Sequence, residues 1–482
     1  MRDNPEASLP PFEKPVMPRG RVAQILRDLR DALVGGRHDL TKETLSRTIW
    51  LLAIPMVLET VMESVFAVVD MFWVSHLGPN AMAAVGITES LMTVIYAIAM
   101  GCSIATAAIV ARRIGEKNQD GAETAAVQGI VLGVAAAAVL GVIGVIVAPH
   151  LLQVMGADPG VVATGSGFAR IMLGGNATVF LIFLINAVFR GAGDATVAMR
   201  TLWLANILNI ALGPCFIFGW GPFPELGVTG AAVATNIGRG IGVLYQVVSL
   251  VRGSPNLRLR ARNLRLDFAV MRALVGIAVN GVGQLLINTA SWVALIGLMA
   301  RFGSISIAGY AVAMRLVMFA VLPAWGLGNA AATLVGQNLG AKQPERAEQA
   351  AWACARYNVY FLGAIGVVFV AFAPQIVGLF PGGPEVTAAG ATALRIIGLG
   401  FPLYAYGLVL GAAFNGAGDT RTPTRMNLFC FWLFELPVAW VLSGPLGLGP
   451  TGIYIAVAVA FSLLAGVSIV LFRRGGWKLP KL

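Results

Sequence analysis

The sequence predicts an all-α polytopic membrane protein, with twelve transmembrane helices in two parallel-repeat lobes of six. Three observations carry this. Charged residues are only 12% of the chain and hydrophobic residues 57%, with mean hydropathy +0.78. Soluble chains are roughly a quarter charged. Apolar windows of about 20 residues, long enough to cross a hydrocarbon core, recur along the chain. The second half of the sequence repeats the first.

The windows fall at 49–75, 82–111, 122–148, 162–189, 200–219 and 228–251, then at 269–300, 305–335, 350–373, 387–414, 425–442 and 450–472. Ahead of them, residues 1–20 hold five prolines and no signal-peptide core, and read as a disordered tail. Val22, Ile25, Leu26, Leu29 and Leu33 then recur at helical spacing among charged residues. That pattern is a short amphipathic helix, on the membrane surface or on the protein's own inner face. The organisation expected is a tail (1–44), an N-lobe (45–251), a basic linker acting as hinge (252–268), a C-lobe (269–472) and a second tail (473–482).

Charge sets the orientation. With the N-terminus inside, 29 of the 34 Lys and Arg fall on that side, and only Arg301 falls outside. Arg170, Arg239, Arg315 and Arg395 lie within or at the ends of spans. This bias places both termini in the cytoplasm and the protein in the cytoplasmic (inner) membrane. The net charge of +11 then reads as basic loops against an anionic leaflet, not as a nucleic-acid surface. Cys102, Cys215, Cys354 and Cys430 lie in apolar segments without metal spacing, and the three His are scattered. No P-loop, HExxH or nucleophile motif is present. Neither an enzyme, a nucleotide-driven pump nor a cofactor is expected, and the protein is read as a monomer.

The repeat is explicit. GCSIATAAIVARRIGEKNQDGAETA at 101–125 aligns without gaps on GLGNAAATLVGQNLGAKQPERAEQA at 326–350, and FRGAGDATVAMR at 189–200 on FNGAGDTRTPTR at 414–425. Both offsets are 225 residues. Six helices per unit is an even number, so both halves enter from the same side. Internal repeats around a midplane site are typical of secondary transporters.

The first span carries the chemistry. Within Trp50–Gly78, Glu59, Glu63 and Asp70 fall within about 40° of one another around a helix. Intramembrane acids are costly and mark functional sites. At the repeat offset they map to Gln284, Asn288 and Leu295, so the acids belong to one half only. Ion coupling is therefore placed in the N-lobe, with a structural aspartate held by Asn side chains as the competing reading.

The RGAGD and NGAGD segments, ARRIGEKN, VGQNLGAKQPERA and the ending FRRGGWK resemble the signatures of the MATE (multidrug and toxic compound extrusion) family over about residues 45–478. The resemblance implies two six-helix lobes around a V-shaped cavity. It also implies efflux of organic, often cationic, compounds driven by H+ or Na+ entry, with H+ favoured here. Asp70 resembles the family's first-helix aspartate, fifteen residues after the helix-bending proline, here Pro55. Asn209 and Thr235 match polar N-lobe positions of the DinF-like branch. Gly213 stands where that branch carries a second aspartate, so Glu59 or Glu63 is the candidate replacement. The acids that the NorM-like branch places in the C-lobe are absent near Asn288 and Tyr404, which favours the DinF-like branch. Glu89, Asn206, Asn236, Tyr404 and Met62 are further candidates to line the substrate cavity. Glu89 would line it or pair with Arg315 across the lobes; Glu435 would contact substrate or act as a structural acid at a helix break. A flippase for lipid-linked oligosaccharides is the alternative function; it would favour a strongly cationic cavity.

Overall fold

The computed structural model describes residues 21–36, 38–253, 256–260, 263 and 265–479. The tail before residue 21 and the last three residues lie outside the described residues, as do the side chains of Val22, Ile25 and Leu26. The helices are α1 (Arg21–Val34), α2 (Leu45–Ser75), α3 (Pro79–Gly115), α4 (Gln119–Val154), α5 (Pro159–Gly174), α6 (Asn176–Ala192), α7 (Ala195–Phe218) and α8 (Val228–Arg252). After the linker come α9 (Phe268–Met299), α10 (Ser304–Gly340), α11 (Pro344–Val377), α12 (Gly383–Leu399), α13 (Phe401–Gly416), α14 (Arg421–Asn427), α15 (Leu436–Ser443) and α16 (Pro450–Arg473). A π-helical segment, Leu428–Glu435, joins α14 to α15.

Among the described residues, ten helical stretches are long and apolar enough to cross a membrane, and the bent pair α12–α13 makes an eleventh. The twelfth place in the order belongs to α8, which is 25 residues long. It carries Arg239 at its middle and is less apolar than its neighbours. Pro79, Pro159, Pro344 and Pro450 each open a helix, where the fixed φ of proline suits the first turn.

The backbone repeats as the sequence does. Lys117 and Lys342, equivalent loop residues, both adopt a left-handed φ, at 59° and 57°. The fourth span breaks between α5 and α6 at Gly175; the tenth breaks between α12 and α13 at the equivalent Gly400, with a bend of 58°. One buried apolar cluster lies wholly within residues 295–477 and another within 74–232, so each half has its own core.

Where the halves meet, glycine replaces bulk. A Cβ on Gly115 would stand 2.0 Å from the carbonyl oxygen of Gln337, and one on Gly340 would stand 2.1 Å from that of Arg112. These are the same contact seen from either side of the repeat. Gly101 meets the backbone of Val282 and Gly326 that of Val57, again as an equivalent pair. Inside a bilayer, packing of small residues is what holds helices together. Gln337 Nε2 donates to Gly191 O at 2.9 Å and Thr333 Oγ1 to Arg190 O at 3.2 Å across the same seam. These approaches lie along the halves of α3 and α10 nearest the basic loops. We call this the basic end.

The segment before α2 docks on that end. Thr196 Oγ1 and Arg200 Nη2 donate to the last carbonyls of α1, and Arg47 pairs with Asp28 and Asp31. Of the two surfaces expected for α1, the protein's own face is therefore the one it occupies. Lys117 of one half pairs with Asp39 at 3.0 Å, and Arg346 of the other donates to the carbonyls of Leu40 and Glu43. The basic linker is also tied down: Asn263 Nδ2 donates to Glu123, and Gln128 Nε2 to the Arg265 carbonyl.

Candidate functional site

The acidic stripe divides along α2. The helix runs unbroken through Pro55, so all three acids share one continuous surface. Glu59 is 4% exposed. It accepts from Arg190 Nη1 at 3.1 Å and Asn186 Nδ2 at 3.3 Å, both on α6. A buried carboxylate needs such a partner, because an uncompensated charge there is expensive. Glu59 is thus engaged by the RGAGD arginine. The Trp73 indole lies at ordinary contact distance from Gly213, 3.6 Å from where a Cβ would stand.

Glu63 lies one turn further. Its Oε2 accepts from Asn206 Nδ2 of α7 at 3.0 Å. Asn209, a turn along α7, donates to Thr235 Oγ1 of α8 at 2.7 Å. These expected polar residues do come together, as a ladder joining α2, α7 and α8. Asn236 is placed elsewhere. Its amide bonds the Ile171 and Ala232 carbonyls and accepts from Thr178, so it pins α8 to the break between α5 and α6. Tyr404 is stacked on Phe461 with ring centroids 4.0 Å apart, inside the C-lobe. Met62 is half-buried on α2.

Asp70 is half-buried, and no described residue pairs or hydrogen-bonds with its carboxylate. The charges that bear on it are Glu89 of α3 and Arg239 of α8. Arg239 is also acted on by Glu63, and its guanidinium donates to Tyr96 Oη at 3.2 Å. Its carbon lies 5.9 Å from the Tyr96 ring centre, a cation–π distance. Glu89 and Arg315 are both exposed, and Arg315 of α10 bears on Glu89 from the other half. So α3 and α10, which interlock at the basic end, carry exposed charges in their other halves. Three acids and two arginines converge there: Asp70, Glu63 and Glu89 with Arg239 and Arg315.

Arg239 is the residue that sequence reasoning passed over. The signal was available, since an ionisable residue in mid-span is a functional candidate on cost alone. It was read only as part of the charge bias.

Comparison with known proteins agrees with this architecture. The MatE family model matches residues 55–215 and 282–441, one block in each half. "Probable multidrug resistance protein YoeA" of Bacillus subtilis (strain 168) is 27% identical over 427 residues, covering 88% of this chain and 92% of that protein. A protein named "FAD transporter" from Shewanella oneidensis is 25% identical over 439 residues, covering 90% and 95%. The solved structure described as "Crystal structure of MATE in complex with MaL6" superposes with a TM-score of 0.85 at 25% identity, covering 90% of this chain and 97% of that one. Relatives named NorM are among the matches as well, so the likeness holds at the level of the whole family. The chain belongs to the MATE family of transporters.

Proposed function

We propose that this transporter is a proton-driven antiporter that exports organic cations from the cytoplasm. In this reading the basic end faces the cytoplasm and a cleft opens outward. The observation that carries it is Asp70: a carboxylate on a spanning helix, half-buried beside Glu89 and Arg239, with no cation within ion-pair distance. Such a group can hold either a proton or a cationic cargo, but not both. A proton arriving from outside neutralises Asp70. The cargo loses its counter-charge and leaves outward. Arg239, relieved of one acid, is then drawn toward Glu63 and Glu89. The proline at position 55 lacks a backbone donor, which leaves α2 free to bend there as the pairing changes. A proton is favoured over Na+ because the groups around Asp70 are a carboxylate and an arginine, not a shell of neutral oxygens.

The test is dye efflux in vesicles with imposed H+ or Na+ gradients. Wild type should export ethidium-like cations on a proton gradient, and Asp70→Asn should lose that drive. Full proton-driven efflux by Asp70→Asn would overturn the reading. A second reading has its own support. Arg239 and Arg315 give the cleft two cations, and one relative carries the name of a FAD transporter. An acidic, aromatic cargo fits those arginines. Flavin nucleotide uptake into the same vesicles, lost in Arg239→Gln, would favour it.

A further inference from the structure

The C-lobe, which lacks the acidic stripe, holds one buried acid of its own. Glu435 is 3% exposed, at the end of the π-helical segment before α15. Wide π turns inside α-helices frequently mark functional sites. Ser291 Oγ of α9 donates to Glu435 Oε2 at 3.1 Å. No charged group among the described residues bears on the carboxylate. The titratable groups around it are hydroxyls and a thiol: Tyr310 of α10, Tyr404 of α13 and Cys430 of the π segment, with Tyr454 of α16 stacked on Tyr310. The Tyr454 hydroxyl is buried without a hydrogen-bond partner, and the Tyr310 hydroxyl and the Trp292 indole N–H are buried beside each other. A buried carboxylate therefore shares its surroundings with several buried hydroxyls. Such groups are costly to leave unpaired in a membrane interior.

The setting mirrors the N-lobe with the roles exchanged. Trp203 Nε1 donates to the Leu58 carbonyl at 3.1 Å, and Trp432 Nε1 to the Ile287 carbonyl at 3.0 Å. Three residues after each tryptophan comes the polar rung. In the N-lobe Asn206 donates to Glu63; in the C-lobe Glu435 accepts from Ser291. The acid has changed helix while the rung has stayed.

We propose that Glu435 is a second proton-exchanging site, confined to the C-lobe and independent of Asp70. Hydronium gives its proton to a carboxylate oxygen, forming the O–H bond and leaving water, and the reverse step releases it. The ligand is taken to be a proton and not a divalent metal, since Glu435 is the one anionic oxygen group there among the described residues. Ser291 and the two tyrosine hydroxyls can donate to the anion or accept from the acid, so they serve both states.

The test is the infrared C=O stretch of protonated carboxyls, titrated from about pH 5 to about pH 9 on the full protein in lipid nanodiscs. In wild type, one band should rise and fall with pH. It should vanish in Glu435→Gln and persist in Asp70→Asn. In Ser291→Ala it should remain with a displaced midpoint, and the pH profile of efflux should shift with it. A spectrum unchanged by Glu435→Gln, or a Glu435 band that never titrates, overturns the proposal. If Glu435→Gln does not fold, Ser291→Ala decides: a displaced midpoint supports the site and an undisplaced set of bands refutes it. Because the readout needs no transport, the result is separate from the fate of the Asp70 reading.

Discussion

At the residue scale, the three acids of one stripe have three different fates. Glu59 is fixed by Arg190, Glu63 by Asn206, and Asp70 by nothing at bonding distance. This sorts structural from exchangeable charge. Glu59→Gln should leave Arg190 buried without its counter-charge and cost about 3–5 kcal/mol. A fall in thermal midpoint with proton coupling retained in the surviving protein is the expected result. Loss of coupling at unchanged stability would instead give Glu59 an exchange role. Sequence alone could place the acids on one face, because helical spacing is regular. It could not divide them, because their partners on α6, α7 and α8 lie more than 120 residues away. Asn209 and Thr235, in contrast, were legible by residue type and do meet.

At the element scale, α3 and α10 meet through reciprocal glycines, and in the proposed mechanism this seam is the gate. Their reciprocal glycines leave carbonyls where side chains would otherwise stand. Gly340→Val should force these helices apart at the basic end. Overpacking of this kind costs about 1–3 kcal/mol, enough to move a two-state equilibrium by roughly an order of magnitude. Labelling of cysteines placed on the cleft-facing surfaces should fall on the side that is now open and rise on the other. Labelling identical to wild type would remove these glycines from the gate. The helices fall where hydropathy placed the windows, although among the described residues α8 is not one of those apolar enough to count as a span by composition. The breaks at Gly175 and Gly400 were not legible, since a glycine inside an apolar window leaves periodicity unchanged; at Glu435 a helix break was one of two expected readings, and the chain forms a π turn there.

At the scale of the whole molecule, the segment before α2 bridges both halves. Asp39 is its contact with one half. Burial opposes ionisation there, but hydrogen bonds from Thr41 and Lys117 outweigh it and hold the carboxyl at about 2, below its usual 3.8. A group whose folded value is depressed stabilises the docked state above its unfolded value and ceases to as pH falls through the folded one. The bridge should therefore persist at neutral pH and weaken as pH drops from about 4 toward about 2. Hydrogen exchange over residues 38–44 measures this. Asp39→Asn should raise exchange at neutral pH and flatten the dependence; an unchanged profile would assign the docking to Arg346 and α1 alone. A helix forms over Arg21–Val34, where the sequence reading placed one. Its choice of surface needed the positions of Thr196 and Arg200, which no local pattern encodes.

The reciprocal glycine contacts have a further consequence. When a patch on one unit meets the same patch on its copy, the interface is isologous, as in a twofold homodimer. Gly115 on Gln337 and Gly340 on Arg112 make the two halves of this chain such a pair, joined covalently by the linker. A substitution on one side of an isologous interface alters one of two equal contacts, whereas in a true homodimer it would alter both at once. Fusion of the halves is thus what allows a carboxylate stripe to be kept on one copy and lost from the other while the surface that joins them stays the same.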